Sequence, residues 1–204
     1  MSDIKPIETK YSGYKFRSRL EARWAVFFDA AGIKYQYEPE GYLIGFDKKP
    51  YLPDFFLPDS KTWVEVKGVF TINEFNRLTK AVDYGQGLPY TYDSLGTRRG
   101  LLILGPIPKK IGSECIWHPI LQHNSGGWVK NTYFMPSCVI RPTSNFGSIY
   151  FDGLSDYLDN DENYKAVKDL VGSEYTCADT LMSEQIKSAY KKAGKARFEY
   201  GIKG

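Results

Sequence analysis

The chain switches between two hydrophobic periods, and the switches mark its elements. From Ser18 to Ala31 the apolar residues Leu20, Trp24, Phe27, Phe28 and Ala31 recur at helical spacing, with Ser18 as a start signal and Gly32 as a stop. This predicts a helix over 18–31 that packs on a sheet, after a loose lead-in at 1–16. Strand-like runs follow at 33–38 (IKYQYE), 42–46 (YLIGF), 52–57 (LPDFFL) and 62–68 (TWVEVKG), divided by EPEG, DKKP and LPDSK, whose residues suit turns. A second helix is expected over 73–84, with Asn73 as N-cap and Phe75, Leu78 and Val82 on one side. LLILG at 101–105 reads as a strand covered on both faces. The order helix, three or four strands, helix, strand implies an α/β class with a mixed central sheet flanked by helices.

Beyond Pro106 the pattern changes. Short strand candidates lie at 115–121, 127–134, 137–142 and 148–151, and helices are expected over 161–172 and 178–200. The expected organisation is a core at 1–110, an irregular β-rich extension at 111–158 and a helical, basic C-terminal segment at 159–204. A length of 204 residues suits one good core with a smaller appended unit. Internal repeats and low-complexity tracts are absent from the sequence.

Composition narrows the function classes only slightly. A net charge of +3 is too small to name a nucleic-acid partner by itself. Its distribution says more: acids gather at Asp152, Asp156, Asp159, Asp161 and Glu162, whereas Lys187, Lys191, Lys192, Lys195, Arg197 and Lys203 form a basic C-terminal face. The aromatic surplus of 16 Tyr, 12 Phe and 4 Trp alternates largely within strands, so sheet and core packing absorb it. Three scattered cysteines argue for a reducing compartment, and the sequence lacks an apolar signal core or an 18-residue apolar run. The expectation is a cytoplasmic protein with no membrane contact.

The chemistry concentrates between Pro53 and Lys67. Asp54 is separated by ten residues from Glu65, and the turn Pro58-Asp59-Ser60-Lys61 lies between them. A hairpin would bring the two carboxylates together. Alternation along a strand points Glu65 and Lys67 one way and Val66 the other. Two carboxylates suit a hard divalent cation, and a neighbouring ammonium suits a developing anion. Glu21 borders the apolar stripe of the first helix, among Arg17, Arg19 and Arg23, and leans toward the sheet. It also completes Ser18-Arg19-Leu20-Glu21, a capping-box pattern that would instead turn it back on its own helix.

Helix Glu21, then Pro53-Asp54, then Glu65-Val66-Lys67-Gly68 resembles the active-site signature of the restriction-endonuclease-like PD-(D/E)xK nuclease superfamily, and RSRLEARWAVFFDAAGIKYQYEPE, YLPDFFLP and WVEVKG are similar to small phage-encoded members. The resemblance covers residues 15–106. It implies a metal-dependent endonuclease that hydrolyses phosphodiester bonds in DNA, encoded by a phage or another mobile element and acting in the host cytoplasm. Asp54 would be the central metal ligand, Glu65 the second and the Val66 carbonyl a third. Lys67 would position the attacking water, and Glu21 would complete the shell. Mg²⁺ is the implied ion, with Mn²⁺ as substitute.

Other candidates are weaker. Arg17, Arg19, Arg77, Lys80, Arg98 and Arg99 are candidate phosphate contacts, each also readable as a solvated charge. Cys115, His118, His123 and Cys138 carry ligand types that suit zinc, but their C-x₂-H-x₄-H-x₁₄-C spacing matches no familiar pattern, and zinc is not expected. An alternative function is a non-catalytic, nuclease-derived module that binds nucleic acid or a host or phage protein, and RNA remains an alternative substrate. Cutting both strands of a duplex would need two sites or two events, which a homodimer would supply.

Overall fold

The computed structural model describes residues 7–83, 85–89, 100–122, 128–134, 140–142 and 176–198. These contain thirteen strands and three helices. The first elements are a hairpin of β1 (Thr9–Tyr11) and β2 (Tyr14–Phe16), inside what the sequence suggests is a loose lead-in. Its turn residues Ser12 and Gly13 both have positive φ, 48° and 81°, which suits a tight hairpin; the Tyr-Ser-Gly-Tyr spacing is the signal that reveals it.

Helix α1 (Arg19–Ala31) begins where expected. Ser18 caps it by accepting from the Glu21 amide at 3.1 Å, and Gly32 ends it in the left-handed region at φ 72°. Trp24, Phe27, Phe28 and Ala31 are fully buried on its inner face. Short strands β3 (Gln36–Tyr37), β4 (Tyr42–Ile44) and β5 (Lys49–Tyr51) follow. The second half of the expected DKKP turn is therefore strand: Lys49 pairs with Ile44, and the reversal happens at Gly45 to Lys48, where φ is 70° and 50° at the two ends.

Strands β6 (Phe55–Leu57) and β7 (Thr62–Val66) form the anticipated hairpin, and helix α2 (Ile72–Ala81) leads to β8 (Leu101–Leu104). The cap of α2 is Thr71 rather than Asn73. Thr71 Oγ1 accepts from the Glu74 amide at 3.3 Å while the Glu74 carboxylate accepts from the Thr71 amide at 2.9 Å, a reciprocal pair unavailable to Asn73.

The chain beyond residue 110 supplies β9 (Glu114–Ile116), β10 (His118–Gln122), β11 (Trp128–Phe134), β12 (Ile140–Pro142), β13 (Thr176–Leu181) and α3 (Glu184–Lys195). The run at 115–121 is thus two strands. Residues 178–181, expected as helix, belong to β13, and Ser183 caps α3 only after it. The expected strand at 148–151 and helix at 161–172 lie outside the described residues.

One seven-stranded mixed sheet runs in the order β12-β11-β10-β8-β7-β6-β3. Among the described residues its one parallel pair is β7 and β8, with Glu65 opposite Ile103 and Val66 opposite Leu104. β10 pairs with β8 through Ile120 opposite Leu102, so the segment beyond residue 110 enters the same sheet. Strand alternation builds a core on each face. Val64, Val66, Leu102 and Leu104 face α1 and α3; Trp63, Leu101 and Ile103 face the α2 residues Phe75, Leu78 and Ala81. Trp24 Nε1 donates to the Gly105 carbonyl at 2.8 Å and ties α1 to the end of β8.

Phe27 joins the two halves of the chain. Its ring centroid lies 5.2 Å from Trp24, 4.8 Å from Phe134 and 4.5 Å from Tyr190 of α3. Phe27→Ala is expected to cost about 3–5 kcal/mol, and the loss should appear in one cooperative transition followed by both circular dichroism and tryptophan fluorescence. Two separated transitions would show that the halves do not share this core.

Candidate active site

The β6–β7 register carries Asp54 to Glu65. Phe55 pairs with Val64, and one further step back along the hairpin sets Asp54 beside Glu65. Asp54 Oδ2 accepts from the Val66 amide at 2.7 Å, which locks the carboxylate onto the end of β7. Both acids are nearly out of solvent, at 8% exposure for Asp54 and 2% for Glu65. Glu65 lies on the same strand face as Trp63, toward α2, and Val66 belongs to the opposite core, as alternation requires.

Glu65 is surrounded by donors. Its Oε1 accepts from Lys67 Nζ at 2.8 Å and from Arg77 Nη2 at 3.2 Å, and its Oε2 accepts from the Tyr51 hydroxyl at 2.7 Å. Lys67 also lies 3.6 Å from Glu74, the acid that caps α2. Three segments therefore converge on one carboxylate: β5 through Tyr51, the residue just past β7 through Lys67, and α2 through Arg77. Tyr51 and Glu74 escape sequence reasoning. The Thr-Ile-Asn-Glu capping box could have indicated Glu74, but no pattern marks Tyr51, whose role depends on where the β4–β5 hairpin folds back.

The electrostatics follow from burial. Asp54 is pushed well above the usual carboxylate range, first by loss of hydration and then by the neighbouring Glu65, with Glu21 adding to it; the Val66 amide and Lys67 work against the shift. For Lys67 burial opposes the charge, yet Glu65, Asp54 and Glu74 together outweigh it and hold the ammonium above its ordinary value. Lys67 in this arrangement is a charged donor, not a base. Burial and Glu65 push the Tyr51 hydroxyl well above its usual range, so it too donates.

Glu21 is close enough to influence Asp54, but its oxygens are engaged at the start of α1. Oε1 accepts from the Ser18 hydroxyl at 2.6 Å, and Oε2 accepts from the Arg17 amide at 3.0 Å and the Tyr37 hydroxyl at 2.8 Å. This is a variant of the capping box, with the return bond made to Arg17 instead of Ser18. The capping contacts of Glu21 are therefore formed. Among the described residues, no three acidic, histidine or cysteine side chains converge as a ready cage. Asp54, Glu65 and the Val66 carbonyl form an all-oxygen set with few carboxylates, which fits a hard ion that keeps several waters. Two buried acids at one strand end, one of them resisting ionisation, are what a cation would relieve.

The basic candidates separate. Arg77 is part of the site. Arg17 is displaced from it, with Nε 2.6 Å from Glu38, and Lys80 pairs with Asp47 at 2.9 Å. Arg19 is half-buried in the first turn of α1. Arg98 and Arg99 lie outside the described residues, as do His123 and Cys138 of the zinc pattern. His118 is buried, its Nε2 2.7 Å from the Tyr190 hydroxyl, and burial pushes it down to about 3. That makes it a neutral core residue, 5.6 Å from Trp24.

The raised Asp54 has a measurable consequence. A folded-state value above the ordinary 3.8 means that the fold favours the protonated acid. The stability linked to this group is therefore full at acid pH and falls as pH rises through the folded value. Asp54→Asn, whose amide oxygen can still accept from Val66, should melt higher than wild type at neutral pH in the presence of chelator, and should flatten that slope. A lower melting temperature for the variant would contradict the assignment. No family model, curated protein or solved structure matches the chain.

Proposed function

We propose that the chain is a metal-dependent endonuclease hydrolysing phosphodiester bonds in DNA, with a restriction-endonuclease-like core and of the kind that phages and other mobile elements encode. One observation carries this reading: two carboxylates buried side by side where adjacent strands end, with the Lys67 ammonium 2.8 Å from one of them. Both cations of the cluster, Lys67 and Arg77, bond Glu65, while Asp54 accepts from a backbone amide. A second buried acid, held against its own ionisation tendency, is a feature of functional sites.

Asp54, Glu65 and the Val66 carbonyl would hold Mg²⁺ or Mn²⁺, with Glu21 reached directly or through water. Such an ion stabilises charge on a phosphoryl oxygen and makes a bound water more acidic. The chain's own contribution is positional. The Val66 amide fixes Asp54, and Tyr51 fixes Glu65. Lys67, kept protonated by its neighbours, orients the attacking water through a hydrogen bond and stabilises the negative charge that builds on the phosphate.

The test is a cleavage panel with Mg²⁺ over linear, supercoiled, branched and single-stranded DNA and RNA. Wild type should cut at least one DNA form, and Lys67→Ala should lower the rate by about 10²-fold or more. Cleavage of RNA alone would move the substrate assignment. If wild type and Lys67→Ala are equally inert on every substrate yet bind nucleic acid, the alternative of a non-catalytic binding module takes its place.

A further inference from the structure

Three donors already occupy Glu65, two of them cationic, and leave a single lone-pair site on Oε2 for a metal ion. A carboxylate oxygen offers two lone-pair sites. Those on Oε1 are taken by Lys67 at 2.8 Å and Arg77 at 3.2 Å, while Oε2 is shared with Tyr51 at 2.7 Å. Two cationic groups already face this acid. A divalent ion on the same carboxylate would meet them at close range, where like charges repel strongly in a half-dry site.

The three donors differ in how easily they leave. Tyr51 is buried and anchored in β5, and Lys67 lies just past the strand that carries Glu65, with its side chain only 18% exposed. Arg77 makes the longest of the three contacts and is 47% exposed. It is also provided with a second hold: its guanidinium carbon sits 5.5 Å from the centre of the Tyr51 ring. Breaking the bond to Glu65 would leave the half-exposed guanidinium on that ring, with its planar set of donors turned to a bidentate partner.

We propose that Arg77 is an exchangeable partner of Glu65: paired with the carboxylate in the cation-free protein, and turned onto a phosphate oxygen of the substrate when a divalent cation occupies Asp54 and Glu65. The proposal rests on the nuclease reading above and adds a residue and a switch to it. Arg77 thereby neutralises the acid before loading and grips the substrate after it, so the same charge serves both states. Tyr51 is the pivot, bonding Glu65 through its hydroxyl and carrying Arg77 on its face.

Calorimetric titration of Mn²⁺ without nucleic acid, into wild type, Arg77→Gln and Arg77→Lys, gives a readout independent of turnover. Arg77→Gln should bind Mn²⁺ roughly two- to fivefold more tightly, the scale of releasing a half-exposed ion pair. In the same buffer its cleavage of a supercoiled plasmid should fall by about tenfold or more, the scale of losing a charged phosphate donor. Arg77→Lys should keep near-wild-type Mn²⁺ affinity while losing cleavage, since a lysine retains the charge but neither the fork nor the stacking plane. Equal or weaker Mn²⁺ binding by Arg77→Gln would make Arg77 a structural brace and overturn the exchange, with the nuclease reading intact. Wild type that takes up no Mn²⁺ and cuts nothing would bring down both.

Discussion

Burying two carboxylates side by side removes their hydration and sets their charges against each other, and the arrangement around Asp54 and Glu65 answers that constraint. The Val66 amide on Asp54 and the three donors on Glu65 come from three segments of the chain, at Tyr51, Val66-Lys67 and Arg77, and each replaces part of the lost hydration. The response is incomplete. Asp54 remains pushed toward its protonated form, by lost hydration first and by Glu65 second.

The two-faced sheet makes this geometry possible. β7 and β8 run parallel in its middle, and alternation sends Val64 and Val66 into the α1 core while Trp63 and Glu65 face α2. The polar residues of this central strand lie at its end and are still largely covered. Glu65 and Lys67 sit at that end, under the first turns of α2. α1 reaches the same neighbourhood from the other side, through Glu21 and its bonds to Ser18, Arg17 and Tyr37. Glu21 thus spans two duties, finishing its helix and adding negative potential near Asp54.

Legibility in the sequence depended on how local the cause was. α1 was readable because its cap, stripe and stop all lie within 15 residues of one another. The β6–β7 hairpin was readable because turn chemistry and strand alternation are neighbour effects. α2 was found but its cap misplaced, since Asn73 is a good cap in isolation whereas the Thr71–Glu74 reciprocity wins in the chain. The β1–β2 hairpin was missed because its strands are three residues each and its positive-φ turn at Ser12 and Gly13 was read as mere looseness. β13 was hidden because its pairing with β9 joins residues some sixty positions apart, and no local pattern records that.

The candidate site divides along the same line. Sequence alone determined that Glu65 and Lys67 share a face, that Val66 does not, and that a hairpin brings Asp54 beside Glu65, because each follows from the two-residue period of a strand and a short turn. It also named Arg77 only as one basic residue among several. Tertiary structure decided the rest. It brought Tyr51 and Arg77 onto Glu65, moved Arg17 and Lys80 into other pairs, and sank His118 into an aromatic core against Tyr190. Those outcomes depend on how helices and hairpins pack across the sheet, where contact is set by shape and burial between distant segments and periodicity carries no information about the partner.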